Sequence, residues 1–226
     1  MTQKHKVVVF DLDDTLYKEI DFLKSAYHHI ASLVSNVNAP EDEVYQLMLN
    51  TYLQGGNAFE TVVKTYSFHL FTVQWMVETY RNHKPHISLD GDTRDTLDRL
   101  KAKGIILGII SDGRLVQQRN KIEALGLKEF IDEENIIIND VEKLYKPDRR
   151  SFLYFMKKYG EDYDYWYIGD NTKKDFVAPN SLGWTTVCLL DDGRNIHEQD
   201  FGYQMAFMPN HKISKISDVL VFINDD

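Results

Sequence analysis

Near the start of the chain, Asp11-Leu12-Asp13-Asp14-Thr15 follows directly on the apolar run Val7-Val8-Val9-Phe10. Four continuous apolar residues, three of them β-branched, are the pattern of a strand buried on both faces, as in a parallel sheet. In open α/β sheets, ligands bind at the carboxyl ends of the strands. Asp11 and Asp13, two residues apart at such an end, repel each other unless a cation lies between them. The pair therefore predicts a Mg²⁺ site with one carboxylate left free for chemistry.

Three further polar clusters stand behind apolar runs. Ser111-Asp112-Gly113-Arg114 follows Ile109-Ile110. A hydroxyl, the next backbone N–H and a glycine that permits close approach suit a phosphoryl oxygen, although a serine there also suits a helix N-cap. Tyr145-Lys146-Pro147-Asp148 follows the run Ile136–Ile138. Pro147 is expected to open a helix and to hold Lys146 extended just outside it, where a fixed ammonium bridges an attacking carboxylate and a transferring group. Gly169-Asp170-Asn171 follows Tyr167-Ile168, with Asp175 five residues beyond Asp170. Asp170 supplies the additional oxygen ligand that Mg²⁺ needs. Asp175 also suits the first turn of a helix, where the dipole favours an acid.

The elements that must position these groups are legible in the periodicity. Strands are expected at Val7–Phe10, Ile105–Ile110, Ile136–Ile138, Trp166–Ile168 and Thr185–Leu190, with a weak last strand at Ala206–Met208 and a helix over Ser214–Ile223. Between the strands, apolar residues recur at helical spacing, as in Phe152, Phe155, Met156 and Tyr159 before Gly160. Strands alternating with helices imply a parallel sheet covered on both faces. Residues 17–88 break this rhythm and predict an inserted helical bundle. Its first helix has Asp21 as expected N-cap, and Tyr52, Phe59, Tyr66, Phe68, Phe71, Trp75 and Tyr80 are expected in its core. The pairs His28-His29 and His83/His86 read as exposed residues of this insert rather than metal ligands. Pro179 should kink or shorten the helix in which it falls.

With 226 residues, 43% hydrophobic and 27% charged, the chain has the composition of a globular protein of one large domain or a domain with an insert. A net charge of −9 without a basic stretch argues against nucleic acid or an anionic membrane as partner. No apolar stretch approaches a membrane span, and the run behind the charged start is too short for a signal peptide. The single Cys188, in an apolar run, is expected in the core and excludes an intrachain disulfide. A reduced, cytoplasmic setting follows as the expectation.

Asp11-x-Asp13-x-Thr15, Ser111, Lys146-Pro147 and Gly169-Asp170-x4-Asp175 together resemble the four signature motifs of the haloacid dehalogenase superfamily. The resemblance spans the whole chain, the helical insert included. It implies an α/β fold with a three-layer Rossmann-like parallel sheet of strand order 5-4-1-2-3. Residues 1–16 and 89–226 would form the core, and 17–88 a mobile helical cap. It implies a Mg²⁺-dependent phosphatase acting on a small phosphomonoester, a phosphosugar or nucleoside monophosphate, as a monomer or homodimer. Asp11 would attack phosphorus, and Asp13 would protonate the leaving group and then activate water. Mg²⁺ would be held by Asp11, the Asp13 carbonyl and Asp170. Thr15, Ser111, Asp112 and Lys146 would line the phosphate site, and Asp175 would support it. Relatives often carry Asn where this chain has Asp112, so only the backbone N–H of that residue is expected to meet phosphate. A phosphomutase shares this chemistry. A 2-haloacid dehalogenase needs neither metal nor leaving-group acid, since halide departs without a proton. Tyr17 and Arg114 are the candidates to read the leaving group.

Overall fold

The computed structural model describes residues 5–202 and 204–224. Residues 1–4, on which the reading of the charged start partly rests, lie outside them. Strand β1 (His5–Phe10) runs between β2 (Ile106–Ser111) and β4 (Tyr163–Gly169), all three parallel. Outside them lie β3 (Ile136–Ile138), beside β2, and β5 (Thr185–Leu189), beside β4. These five strands keep the expected order.

A sixth strand, β6 (His211–Ile213), pairs parallel with β5 and extends the sheet. The expected last strand at Ala206–Met208 does not form; Met205–Phe207 is a single 3₁₀ turn. Met205 is almost fully exposed, and Pro209 follows without an N–H for a ladder. The chain pairs only beyond it, where Ile213 is buried beside Leu189.

Alternation along the strands builds the layers. Val8, Phe10, Trp166 and Ile168 face one way, against α5 (Gly91–Ala102), α6 (Leu115–Ala124) and α9 (Val219–Asn224). Val7, Val9, Tyr165 and Tyr167 face the other, against α7 (Arg150–Tyr159) and α8 (Val177–Ser181). Pro179 stands inside α8, whose five residues make it the short helix expected. By contrast, α7 starts at Arg150 rather than Pro147, because Asp148 closes a local turn by accepting from the Arg150 N–H and guanidinium.

Four helices interrupt this pattern between β1 and α5: α1 (Glu19–Val34), α2 (Glu41–Leu53), α3 (Ala58–Thr65) and α4 (Val73–Asn82). They share a core of their own, including Tyr27, Ile30, Val44, Met48, Val62 and Met76. The expected aromatics pack around it, each only partly buried, and Tyr80 packs against this core and that of the sheet. Asp21 is not the N-cap of α1. The helix begins two residues earlier, behind Lys18, and Asp21 lies in its first turn, where the dipole still favours it. His83 is buried rather than exposed, its ring tilted against that of Phe22 at 4.6 Å between centroids, with Nδ1 2.9 Å from the Tyr80 carbonyl.

Gly108 in β2 lets α7 pack closely: a Cβ there would lie 2.6 Å from the Phe155 ring and 3.2 Å from the Asn135 carbonyl. Gly108→Ala should lower stability by about 1–3 kcal/mol in urea unfolding, as overpacking does. Gly91→Ala, where a Cβ meets open space, should leave the unfolding midpoint unchanged or higher.

Candidate active site

The site is built around one buried ammonium. Lys146 Nζ lies 2.8 Å from Asp11 Oδ1 at the end of β1, 2.8 Å from Asp175 Oδ1 and 3.0 Å from the Tyr167 hydroxyl of β4, to which it donates. Burial works against a charge here, but Asp11 and Asp175 outweigh it and hold the Lys146 ammonium charged well above its usual range. For Asp11 the balance differs: burial is the larger effect, and even with Lys146 beside it the carboxyl is pushed up to about 6. Asp175 reaches the group because Gly169 has no side chain; a Cβ there would lie 2.5 Å from Asp175 Oδ2. That oxygen accepts from the backbone N–H groups of Asp170 and Asn171 at 3.2 and 2.8 Å.

Asp170 completes the strand-end acids. A ligand oxygen from each of Asp11, Asp170 and Asp175 lies within 4.8 Å of the others, all three residues buried. Burial, reinforced by Asp175, Asp11 and Asp14, pushes the Asp170 carboxyl up to about 9. Its side-chain partners are neutral: Asn195 Nδ2 at 3.1 Å and the Thr15 hydroxyl at 3.5 Å. A buried, oxygen-only cluster with more anionic than cationic charge fits a hard divalent cation such as Mg²⁺. The Asp13 carboxylate is not one of this cluster's ligand groups.

Asp13 has its own set of donors. Tyr17 OH and Lys121 Nζ reach Oδ1 at 2.5 and 2.6 Å, and Gln118 Nε2 reaches Oδ2 at 2.7 Å. Burial would raise this carboxyl, but Lys121, Tyr17 and Gln118 together draw it below the ordinary value. The same Gln118 amide donates to Ser111 Oγ at 2.7 Å, which places the Ser111 and Asp13 side chains side by side. Lys121 is almost fully buried, lies over the Phe22 ring and also reaches Glu19, in the first turn of α1, at 3.5 Å. Asp112 is turned aside: its carboxylate accepts from Asn139 Nδ2 (2.7 Å), the Lys146 N–H (3.1 Å) and Lys174 Nζ (3.0 Å). These cations and donors offset its burial and lower its pKa. Arg114 stands exposed at the N-cap of α6, away from these bonds.

The structure thus brings Asp11, Asp13, Thr15, Ser111, Lys146, Asp170 and Asp175 to one edge of the sheet. Sequence reasoning missed Gln118, Lys121, Glu19 and Asn195. Gln118 and Lys121 sit three residues apart on α6, with Lys121 beside the core residue Ile122, so the helical spacing behind Ser111 carried a signal for that pair.

The sequence profile of the haloacid dehalogenase-like hydrolases matches residues 8–189. A protein named glyceraldehyde 3-phosphate phosphatase from Methanocaldococcus jannaschii is 31% identical over 204 residues, covering 82% of this chain and 85% of the relative. One named pyrophosphatase PpaX, from Oceanobacillus iheyensis, is 21% identical and covers 97% of both chains. Among solved structures, the HAD-hydrolase YfnB of Bacillus subtilis, determined with magnesium bound, superimposes with a TM-score of 0.68 at 16% identity, over 98% of this chain and 100% of that one.

The Asp112 contacts generate a test. Asp112→Asn keeps an acceptor for Asn139 and Lys146 and gives up the partly exposed Lys174 pair, so urea unfolding should shift by less than about 1 kcal/mol. Asp112→Ala strands the two buried donors, Asn139 Nδ2 and the Lys146 N–H, and should lose about 2–6 kcal/mol, since each unsatisfied buried group costs about 1–3.

Proposed function

This chain belongs to the haloacid dehalogenase-like hydrolases, and we propose that it is a Mg²⁺-dependent phosphatase of a small phosphomonoester, working through an aspartyl-phosphate on Asp11. The observation that carries the reading is Asp11 held 2.8 Å from a fully buried Lys146, with Asp170 alongside and Asp13 beside Ser111.

A carboxylate approaching a phosphate dianion faces repulsion. Lys146 counters it from inside the protein, where its charge is weakly screened. It also fixes Asp11 Oδ1, which orients the nucleophile. Ser111 Oγ offers a donor to a phosphoryl oxygen. A bound Mg²⁺ at Asp11 and Asp170 would supply the remaining positive charge against the transferring group. Asp11 attacks phosphorus, the P–O bond to the substrate breaks, and the departing oxygen takes a proton from Asp13. Asp13, now ionised, takes a proton from water as that water attacks phosphorus; the P–O bond to Asp11 breaks and phosphate leaves.

Asp13 is held here in the ionised form that the second half needs. Burial favours its proton and Lys121 opposes it, so loosening the Lys121 contact prepares the acid form for the first half. Glu19, opposite Lys121, belongs to α1, so displacement of the inserted bundle changes that balance. Residues 17–88 are therefore read as a cap over a core of 1–16 and 89–226. The relatives named glyceraldehyde 3-phosphate phosphatase make a triose phosphate the first phosphosugar to test. The reduced Cys188, buried in β5, suits a cytoplasmic enzyme.

Asp11→Asn should abolish phosphate release, by at least about 10³-fold, as loss of a nucleophile does, with the circular dichroism unchanged. Residual turnover near the parent rate would sink the covalent mechanism. Release of free phosphate from a triose phosphate separates a phosphatase from a phosphomutase, which would hand the group to a sugar. Chelation of divalent cations should stop turnover, Mg²⁺ should restore it, and Ca²⁺ should inhibit because its looser coordination draws Asp11 out of line. Full activity in excess chelator would refute the metal requirement.

A further inference from the structure

The loop behind β5, Asp191 to Asp200, belongs to none of the four motifs, yet it is firmly built. Asp191 Oδ1 accepts from the N–H groups of Gly193, Arg194 and Asn195 at 2.8, 3.1 and 3.0 Å. Gln199 Nε2 donates to the carbonyls of Asp170 and Leu189, both at 2.8 Å. The Asp200 N–H donates to Thr172 Oγ1 at 3.0 Å, and the Ile196 N–H to Asp14 Oδ2 at 2.8 Å. The other oxygen of Asp14 accepts from the Glu19 N–H at 2.8 Å, so one carboxylate ties the loop to the start of α1.

Within this loop Asn195 uses both ends of its amide. Nδ2 donates to Asp170 Oδ2 at 3.1 Å, and Oδ1 accepts from Lys18 Nζ at 2.8 Å. Lys18 is the N-cap residue of α1 and is also paired with Asp192 at 3.2 Å. The orientation of the amide follows from its neighbours, since an ammonium only donates and a carboxylate only accepts.

We propose that Asn195 is a positioning residue for the divalent cation, fixing the rotation of the Asp170 carboxylate and linking it to the first helix of the inserted bundle. A carboxylate turns freely about its last torsion unless one oxygen is held. Asn195 takes Oδ2, and Oδ1, which among the described residues meets only the Thr15 hydroxyl at 3.5 Å, faces the cation site. A lysine or arginine in its place would hold the oxygen too, but would also neutralise it and compete with the metal. An amide orients without discharging. Ligating carboxylates are commonly fixed by such outer hydrogen bonds. The inference rests on the phosphatase reading only for the presence of the cation.

The test reads the cation rather than turnover. Mn²⁺, a hard octahedral ion like Mg²⁺, is titrated into the full-length chain at neutral pH, and free Mn²⁺ is read by electron paramagnetic resonance. Asn195→Ala should bind Mn²⁺ about 10–100-fold more weakly, the loss typical of outer-shell changes. Its metal-free melting temperature should stay near the parent's, because Lys18 keeps Asp192. Turnover should recover at saturating Mg²⁺, so the metal concentration for half-activity rises while kcat holds. Lys18→Met, which frees only the Oδ1 end, should weaken Mn²⁺ in the same direction but less, and it stands in if the alanine variant fails to fold. Parent-like Mn²⁺ affinity in Asn195→Ala overturns the positioning role. Parent-like affinity in Lys18→Met overturns the link to the bundle. A parent chain that binds no Mn²⁺ overturns the inference outright. A chain that binds Mn²⁺ but hydrolyses no phosphomonoester sinks the phosphatase reading and leaves this inference in place.

Discussion

The site depends on the Lys146 ammonium, placed where the acids of the strand ends converge. Asp11, Asp170 and Asp175 converge behind β1 and β4, and like charges at such distances repel strongly away from water. Lys146 lies between two of them, and its surroundings serve to keep it there. Asp112 holds its backbone N–H, Tyr167 accepts from its ammonium, and the bare Cα of Gly169 lets Asp175 come close enough to pair. One ammonium cannot balance three carboxylates. The remaining imbalance falls on Asp170, whose side-chain partners are neutral, and this is why that side of the cluster suits a metal while the Lys146 side does not.

Asp13 answers to a different set of neighbours. Two of its donors, Gln118 and Lys121, come from α6 of the sheet layers, and the third, Tyr17, stands where the chain enters the inserted bundle. Glu19, the first residue of that bundle's first helix, shares Lys121 with it. Asp11 is thus held by residues of the sheet and its loops, and Asp13 where two packed units meet. A nucleophile benefits from a rigid seat, whereas an acid that must become a base benefits from surroundings that can shift. In the proposed mechanism these two needs fall to residues only two apart in the sequence.

Much of this was legible in the sequence, for a physical reason. A doubly buried parallel strand must be apolar throughout, so the polar residues that end it stand out, and Asp11, Ser111 and Asp170 were marked by that contrast. The first five strands followed from the same pattern, and their order from the resemblance of the motifs to the superfamily. What escaped had weaker signals. β6 is three residues long, at an edge, with a polar start. α1 begins without a side-chain cap, so no capping residue marks its true start. Gln118 and Lys121 were missed although they share a helix with the core residue Ile122, because burying a lysine is favourable only when carboxylates from elsewhere in the chain arrive to meet it. Asn195 lies in a loop whose form depends on long-range partners, which no local pattern reports.

The position of β1 has a consequence for how the molecule forms. Val7 faces Ile106 on one side and Tyr165 on the other, so the first strand made is the one that waits longest for its neighbours. Contacts between residues so far apart along the chain close slowly. The four helices that follow β1 pack largely on one another and need no such wait. During synthesis the bundle therefore has what it needs to gather first, while the strand that carries Asp11 keeps a bare, β-branched edge until β4 is available. The acids and the lysine that neutralises them meet only after that, so an incomplete chain is spared a cluster of buried like charges but carries an unpaired strand prone to finding the wrong partner.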